Sequence, residues 1–189
     1  MSLPIRYRCR PLFAALMLGL VAAPGHAERA DRKQPVQLDA DRIIIDDKKQ
    51  VTTYEGDVCF VQGTLQIRAD RVLVTQENGG FERGIAFGKV GAQAWFKQKR
   101  EGRDEYVEGQ ADRIEYDSQR ERAEFFGNAT VKNGQDMVSG PYILYDAKAE
   151  RYEVGANPAQ AAAPQPAGRV RAVIQPRADT APPAKPANP

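Results

Sequence analysis
The chain has 189 residues, with 27 Lys+Arg against 25 Asp+Glu, a formal charge of +2, one histidine and two cysteines. So even a balance lacks the basic surplus that phosphate backbones select, and no nucleic acid is expected as a partner. His26, Cys9 and Cys59 leave almost no material for a histidine triad, a histidine-ligated metal or a disulfide framework.

Residues 1–27 read as a signal peptide. Arg6, Arg8 and Arg10 form the positive region, Leu12 to Ala23 the apolar run, and Gly25-His26-Ala27 the small residues before a cut at Glu28. The apolar run is shorter than the roughly 20 residues that a bilayer span needs, so export is expected and not anchoring. Cleavage removes three arginines, His26 and Cys9, leaving 24 Lys+Arg against 25 acids and a lone thiol at Cys59.

Residues 28–154 make up the expected folded domain: a polar lead-in to Pro35, then a body whose apolar residues recur with period two. Tyr54, Gly56, Val58 and Phe60 share one face, and Glu55, Asp57, Cys59 and Val61 the other. Phe125, Gly127, Ala129 and Val131 alternate in the same way with Phe126, Asn128, Thr130 and Lys132. Such alternation predicts half-buried antiparallel strands. Gln62-Gly63, Asn78-Gly79-Gly80 and Asn133-Gly134 supply turns between them. No stretch after the signal carries the period of a long amphipathic helix. The fold class is therefore all-β, many short antiparallel strands in a sandwich or open jelly roll. Residues 155–168 read as an Ala/Pro-rich linker, 169–175 as a β-prone run that returns as a last strand, and 176–189 as a disordered tail. Eight of the 13 prolines lie between Pro158 and Pro189, which leaves that region little to bury.

The domain repeats itself. Ala40-Asp41-Arg42-Ile43 recurs 71 residues later as Ala111-Asp112-Arg113-Ile114. At the same offset Asp46 falls on Asp117, Tyr54 on Phe125, Gly56 on Gly127, Gly63 on Gly134, Ile67 on Val138 and Leu73 on Leu144. A second offset of 29 carries the first motif to Ala69-Asp70-Arg71-Val72, and Ile114-Glu115-Tyr116-Asp117 to Ile143-Leu144-Tyr145-Asp146. Repetition of this kind builds stacked β-structure, in which each unit buries its apolar face against its neighbours. It points to an elongated surface or groove more than to one asymmetric catalytic constellation.

The two offsets make Ile43 and Ile45, Val72 and Val74, Ile114 and Tyr116, and Ile143 and Tyr145 equivalent, so they are expected to line one continuous wall. Val36, Leu38, Leu65, Ile67, Phe87, Trp95, Val107 and Val138 are candidates to join it. The plain interpretation of any one of these is a core residue. As a set, in two facing sheets open at one edge, they make a slot that gains about 0.8 kcal/mol per CH₂ of alkyl chain it buries. The repeated Asp41-Arg42, Asp70-Arg71 and Asp112-Arg113 read as exposed structural ion pairs, which stabilise little. Lys97 to Arg103 reads as a solvated charged loop, with phosphate binding as its second reading.

The run Tyr54-Glu55-Gly56-Asp57-Val58, followed by Gln62-Gly63-Thr64-Leu65-Gln66-Ile67-Arg68-Ala69-Asp70-Arg71-Val72, resembles the signature of the OstA-like domain family. Gly88-Lys89-Val90 before Trp95-Phe96, Val107-Glu108-Gly109-Gln110-Ala111, and Tyr116 support it. The resemblance covers residues 34–154 and, more loosely, 169–176. It implies a V-shaped open β-jellyroll that stacks head to tail with copies of itself in the periplasm and carries lipopolysaccharide, without enzyme activity or cofactor. It also implies an LptC-like partner at the inner membrane and an LptD-like partner at the outer membrane. By position, the family's groove residues fall on Val36, Leu38, Trp95 and Tyr116. Two rival readings are an exported β-rich polysaccharide-acting enzyme and a purely structural repeat protein. The enzyme needs two carboxylates facing a cleft about 5–9 Å apart, whereas the acids here fall mostly on turns or the outward face. Lipid binding separates the structural protein from the carrier.

Overall fold
The computed structural model describes residues 31–77, 80–156 and 169–175. The signal peptide, Asn78-Gly79, residues 157–168 of the linker and the tail from 176 lie outside the described residues. Twelve strands follow one another: β1 (Val36–Asp39), β2 (Arg42–Asp46), β3 (Val51–Gln62), β4 (Leu65–Glu77), β5 (Gly80–Phe87) and β6 (Ala94–Lys99) in the first half. β7 (Tyr106–Ala111), β8 (Arg113–Asp117), β9 (Arg122–Asn133), β10 (Asp136–Asp146), β11 (Arg151–Gly155) and β12 (Arg171–Val173) complete it. All pairings are antiparallel, and together they form one 12-stranded sheet folded back on itself.

The fold-back comes from four long strands, β3, β4, β9 and β10, each of which belongs to two arms. In the first arm the order is β2, residues 51–55 of β3, residues 71–77 of β4, β5, β8, residues 122–126 of β9, residues 142–146 of β10, and β11. In the second it is β1, residues 58–62 of β3, residues 65–69 of β4, β6, β7, residues 130–133 of β9, residues 136–140 of β10, and β12. The architecture is an open β-jellyroll.

Bulges make the bends. The register shifts between Glu55 and Val58 and between Gly140 and Tyr142, and an inserted residue bends a strand while sharpening its twist. Gly56 takes φ +83° and Gly127 φ +76°, a left-handed conformation that glycine adopts without cost. The Asp41 amide donates to the Gly56 carbonyl at 3.2 Å, and the Asp112 amide to the Gly127 carbonyl at 3.1 Å. Each aspartate side chain fills the space that a Cβ on its glycine would need. The expected Asp-Arg ion pairs are thereby corrected. The Asp41 and Asp112 carboxylates serve the bend, the latter accepting from Asn128 at 2.9 Å. Arg42 reaches Glu55 at 3.4 Å, while Arg71 and Arg113 stack on Phe87 and Phe126.

The repeat also writes the tips of the first arm. Asp46, Asp117 and Asp146 each accept a main-chain N–H three residues on, from Lys49, Arg120 and Ala149 at 3.1, 2.8 and 2.9 Å. The turns close on Gln50, Glu121 and Glu150, all left-handed at φ 53°, 56° and 49°. Side-chain capping of this sort makes a tight turn out of residues that are not glycine.

Burial alone would raise the Asp146 carboxyl, but the Ala149 N–H and the Arg122 guanidinium outweigh it and hold the group below the ordinary carboxylate range. Arg122 Nε lies 2.8 Å from Asp146. A carboxyl depressed by folding stabilises the fold above its unfolded value of about 3.9 and loses that contribution as pH falls through the folded value. Asp146→Asn should therefore lower the thermal midpoint at pH 7, and the gap from the wild type should narrow below about pH 3. Circular-dichroism melts across that range check the convergence.

Candidate functional site
The inner face of the first arm carries two apolar rows. One runs Ile43, Tyr54, Val72, Ala86, Ile114, Phe125, Ile143 and Val154, each opposite the next across the strands. The other passes through Ile45, Val74, Tyr116, Ala123, Tyr145 and Tyr152. Facing them, the second arm presents Leu38, Phe60, Ile67, Phe96, Gly109, Val131, Val138 and Ala172 in a single row. Opposed residues on antiparallel strands point to the same face, so each row is a continuous strip of wall.

The walls touch. Phe60, Phe96, Phe125, Ile114 and Ile143 are fully buried. Phe96 meets Phe125 edge-on at 5.6 Å and Tyr116 at 6.0 Å, and Phe60 meets Phe81 at 4.9 Å. Gly109 is a glycine because the Phe125 ring from the opposite arm occupies the place of its Cβ. A polar contact crosses the interior, from Gln98 Nε2 to Tyr116 Oη at 3.5 Å, and Gln98 Oε1 is buried without a hydrogen-bond partner.

Along one long side the interior is closed by the bends. Along the other, the arm tips meet. Residues 31–34 lie across the tips: Asp31 accepts from the Thr64 amide at 2.8 Å, and the Gln62 side chain donates to the Gln34 carbonyl at 3.2 Å. Arg32 then reaches over to Glu121 and, at 3.4 Å, to the Ser118 carbonyl. Arg100, on the β6–β7 loop of the second arm, pairs at 3.0 Å with Glu150 of the first.

Of the expected wall residues, Ile67, Val72, Val74, Ile114, Tyr116, Ile143 and Tyr145 come together in the buried interior, and Leu38 packs against it half-buried. Val36, Ile43 and Ile45 belong to the edge strands β1 and β2 and are 37%, 53% and 67% exposed. Ile43 and Ile45 continue the inner rows past the last covered strand. Trp95 is corrected. It faces outward, with the Arg68 guanidinium 5.2 Å over its ring, while its neighbours Ala94 and Phe96 are the inward pair. Phe87 is likewise outward, under Arg71. The signal for Trp95 lay in its own strand, where it shares a face with Lys97 and Lys99 while Phe96 shares one with Ala94. Phe60, Phe96 and Phe125 are wall residues that the site assignment omitted. On the outer face Tyr142 is held neutral well into the alkaline range by burial and by its 2.7 Å bond to Glu124.

Residues 37–151 match the family model described as LptA/(LptD N-terminal domain) LPS transport protein. The chain belongs to this family. It is 30% identical over 167 residues to the lipopolysaccharide export system protein LptH of Pseudomonas aeruginosa, spanning 86% of this chain and 93% of that one. Identity to the lipopolysaccharide export system protein LptA of Escherichia coli K12 is 27% over 142 residues, 75% of this chain and 76% of the other. The crystal structure of Pseudomonas aeruginosa LptH, described as the LptA homologous periplasmic component of the lipopolysaccharide transport device, superposes with a TM-score of 0.69 at 28% identity. That likeness covers 77% of this chain and 99% of LptH. In this family member the apolar interior is a closed pair of walls, and among the described residues no strand covers the edges at β1, β2, β11 and β12.

Gly109→Ala should cost about 1–3 kcal/mol, because the new methyl group displaces the Phe125 ring. In a Phe125→Leu background the same change should cost markedly less, since the two positions share one space. Urea unfolding of the four proteins checks this coupling.

Proposed function
We propose that this protein is a periplasmic lipopolysaccharide carrier, which shields acyl chains between its two arms and passes the lipid along the slot toward the outer membrane. The observation that carries the reading is the pair of facing apolar walls that run across every strand of both arms and, among the described residues, stop at uncovered edges. Acyl chains entering between the arms replace wall-to-wall contacts with wall-to-lipid contacts, so apolar surface stays out of water throughout. Transport names on the relatives and membership of the family support the same conclusion.

The uncapped ends support head-to-tail stacking. β1 and β2 leave one edge open, with Ile43 and Ile45 in its inner rows. β11 and β12 leave the other, with Val154 and Tyr152 ending those rows on β11 and Ile174, just past β12, 77% exposed. Unpaired strand edges either need protection or serve as pairing sites. Joining first edge to last is a heterologous contact that does not close, and it extends both walls into the next molecule. The same strand addition accepts an LptC-like domain at one end and an LptD-like domain at the other.

In cells, a photoreactive residue at Leu38, Ile43 or Ile45 should form lipopolysaccharide adducts, and one at outward Trp95 or Asp57 should not. Equal labelling of the two faces would contradict the slot.

A further inference from the structure
The arm tips hold a feature that the apolar slot does not explain. Three tips of the first arm end in a left-handed residue at repeat-equivalent positions, Gln50, Glu121 and Glu150. Two of the three carry a carboxylate, and each of those faces an arginine. Arg32, tied to the second arm through Asp31 and Thr64, pairs with Glu121, whose side chain is 7% exposed. Arg100 is only 10% exposed and spans three partners: Glu105 at 3.0 Å and Asn133 at 3.3 Å on its own arm, and Glu150 at 3.0 Å on the other. Arg103 adds a second cation on Glu150 at 3.4 Å. The third tip, next to the open β2 edge, has the uncharged Gln50, whose side chain bonds back to the Asp47 carbonyl at 2.7 Å.

The loop bearing Arg100 and Arg103 is braced in advance. The Arg100 amide donates to the Glu105 carbonyl at 2.9 Å, and Lys99 pairs with Asp104 at 2.7 Å. A lipid whose chains lie between the arms must leave its head at the tips, because the bent backbone closes the other long side. Lipopolysaccharide carries phosphate on the sugars that bear its acyl chains. A guanidinium fork matches phosphate oxygens as well as it matches a carboxylate.

We propose that Arg100 and Arg103 form an anion site for the phosphorylated headgroup, reached when they exchange Glu150 for phosphate oxygens, so that the same arginines latch the empty slot and grip the loaded one. Arg32 and Glu121 form the second latch along the same side. This rests on the lipopolysaccharide-carrier reading above and adds the means by which cargo opens the slot.

The test compares the affinity of the intact protein for purified rough-type lipopolysaccharide, for the same lipid after dephosphorylation, and for inorganic phosphate alone. Arg103→Ala should weaken binding of the phosphorylated lipid about tenfold relative to the dephosphorylated lipid, a common loss for a charge-assisted contact, while the loosened latch leaves the dephosphorylated lipid bound as tightly or more tightly. Glu150→Gln removes the competing carboxylate and should tighten the phosphorylated lipid severalfold. If both variants shift affinity in the same direction, and equally for both lipids, the pair is a structural latch only and the headgroup site is wrong. Tight binding of inorganic phosphate alone would equally overturn it. Should the wild type bind neither lipid, the carrier reading itself fails, a result distinct from either of these. Thermal midpoints of the variants, with Arg103→Lys as the conservative control, separate a lost contact from a lost fold.

Discussion
Everything in this molecule depends on two left-handed glycines that let a β-strand turn a corner without losing its alternation. Gly56 and Gly127 bend β3 and β9 at φ +83° and +76°, and the inserted residue after each, Asp57 at 38° and Asn128 at 46°, restores the pleat. The inner set on β3 therefore passes unbroken from Tyr54 to Val58 and Phe60, and on β9 from Phe125 to Ala129 and Val131. Without the extra residue, a one-step slip would turn the apolar set of one arm toward solvent. The bend makes two arms from one sheet, and the kept alternation makes their facing sides apolar.

The bend also limits the energetics. The interior is a packed core, with aromatic rings crossing between arms and glycine at the closest approach, so the empty protein behaves like an ordinary sandwich. Its difference from a sandwich lies at the sides. Hydrophobic rows continue beyond the covered strands at Ile43 and Ile45, and the tips are held by ion pairs and a short N-terminal crossing instead of by covalent chain. These pairs are each only half-buried, with one partner open to water, and a non-covalent pair at the surface can exchange partners. A slot closed by such contacts can open without unfolding, whereas one closed by continuous backbone cannot.

Much of this was legible in the sequence because the repeat is geometric as well as textual. The offsets of 71 and 29 map bend onto bend, capped turn onto capped turn, and one wall residue onto the next. The spacing of Ile43, Val72, Ile114 and Ile143 announced the wall, whereas Gly56 and Gly127 were legible only as members of an alternating face and not as corners. Reading failed where the repeat is interrupted. At the offset of 71 β7 falls on β1, but β6 falls on 23–28 and 165–170, outside the described strands. Trp95 was therefore placed on the wall by its position in the family resemblance, although a tryptophan between lysine-bearing positions packs well outside under an arginine. The cross-arm contacts were equally hidden. Arg32 and Glu121 are 89 positions apart and Arg100 and Glu150 are 50 apart, and neither pair follows a local rule. The Asp-Arg motifs misled for a related reason: adjacent residues on a strand point to opposite faces, so the two charges found different partners.

The central claim is that lipid loads by parting two arms that touch when empty. The most direct measurement is the separation between spin labels at two exposed tip positions on opposite arms, Asp104 and Lys148, in a chain whose native cysteines are replaced by serine. Addition of lipopolysaccharide should move the distance distribution to longer values, while a lipid-free detergent-removed control stays short. A distribution that is unchanged when lipid is demonstrably bound would contradict the account, because the acyl chains would then lie somewhere other than between the arms.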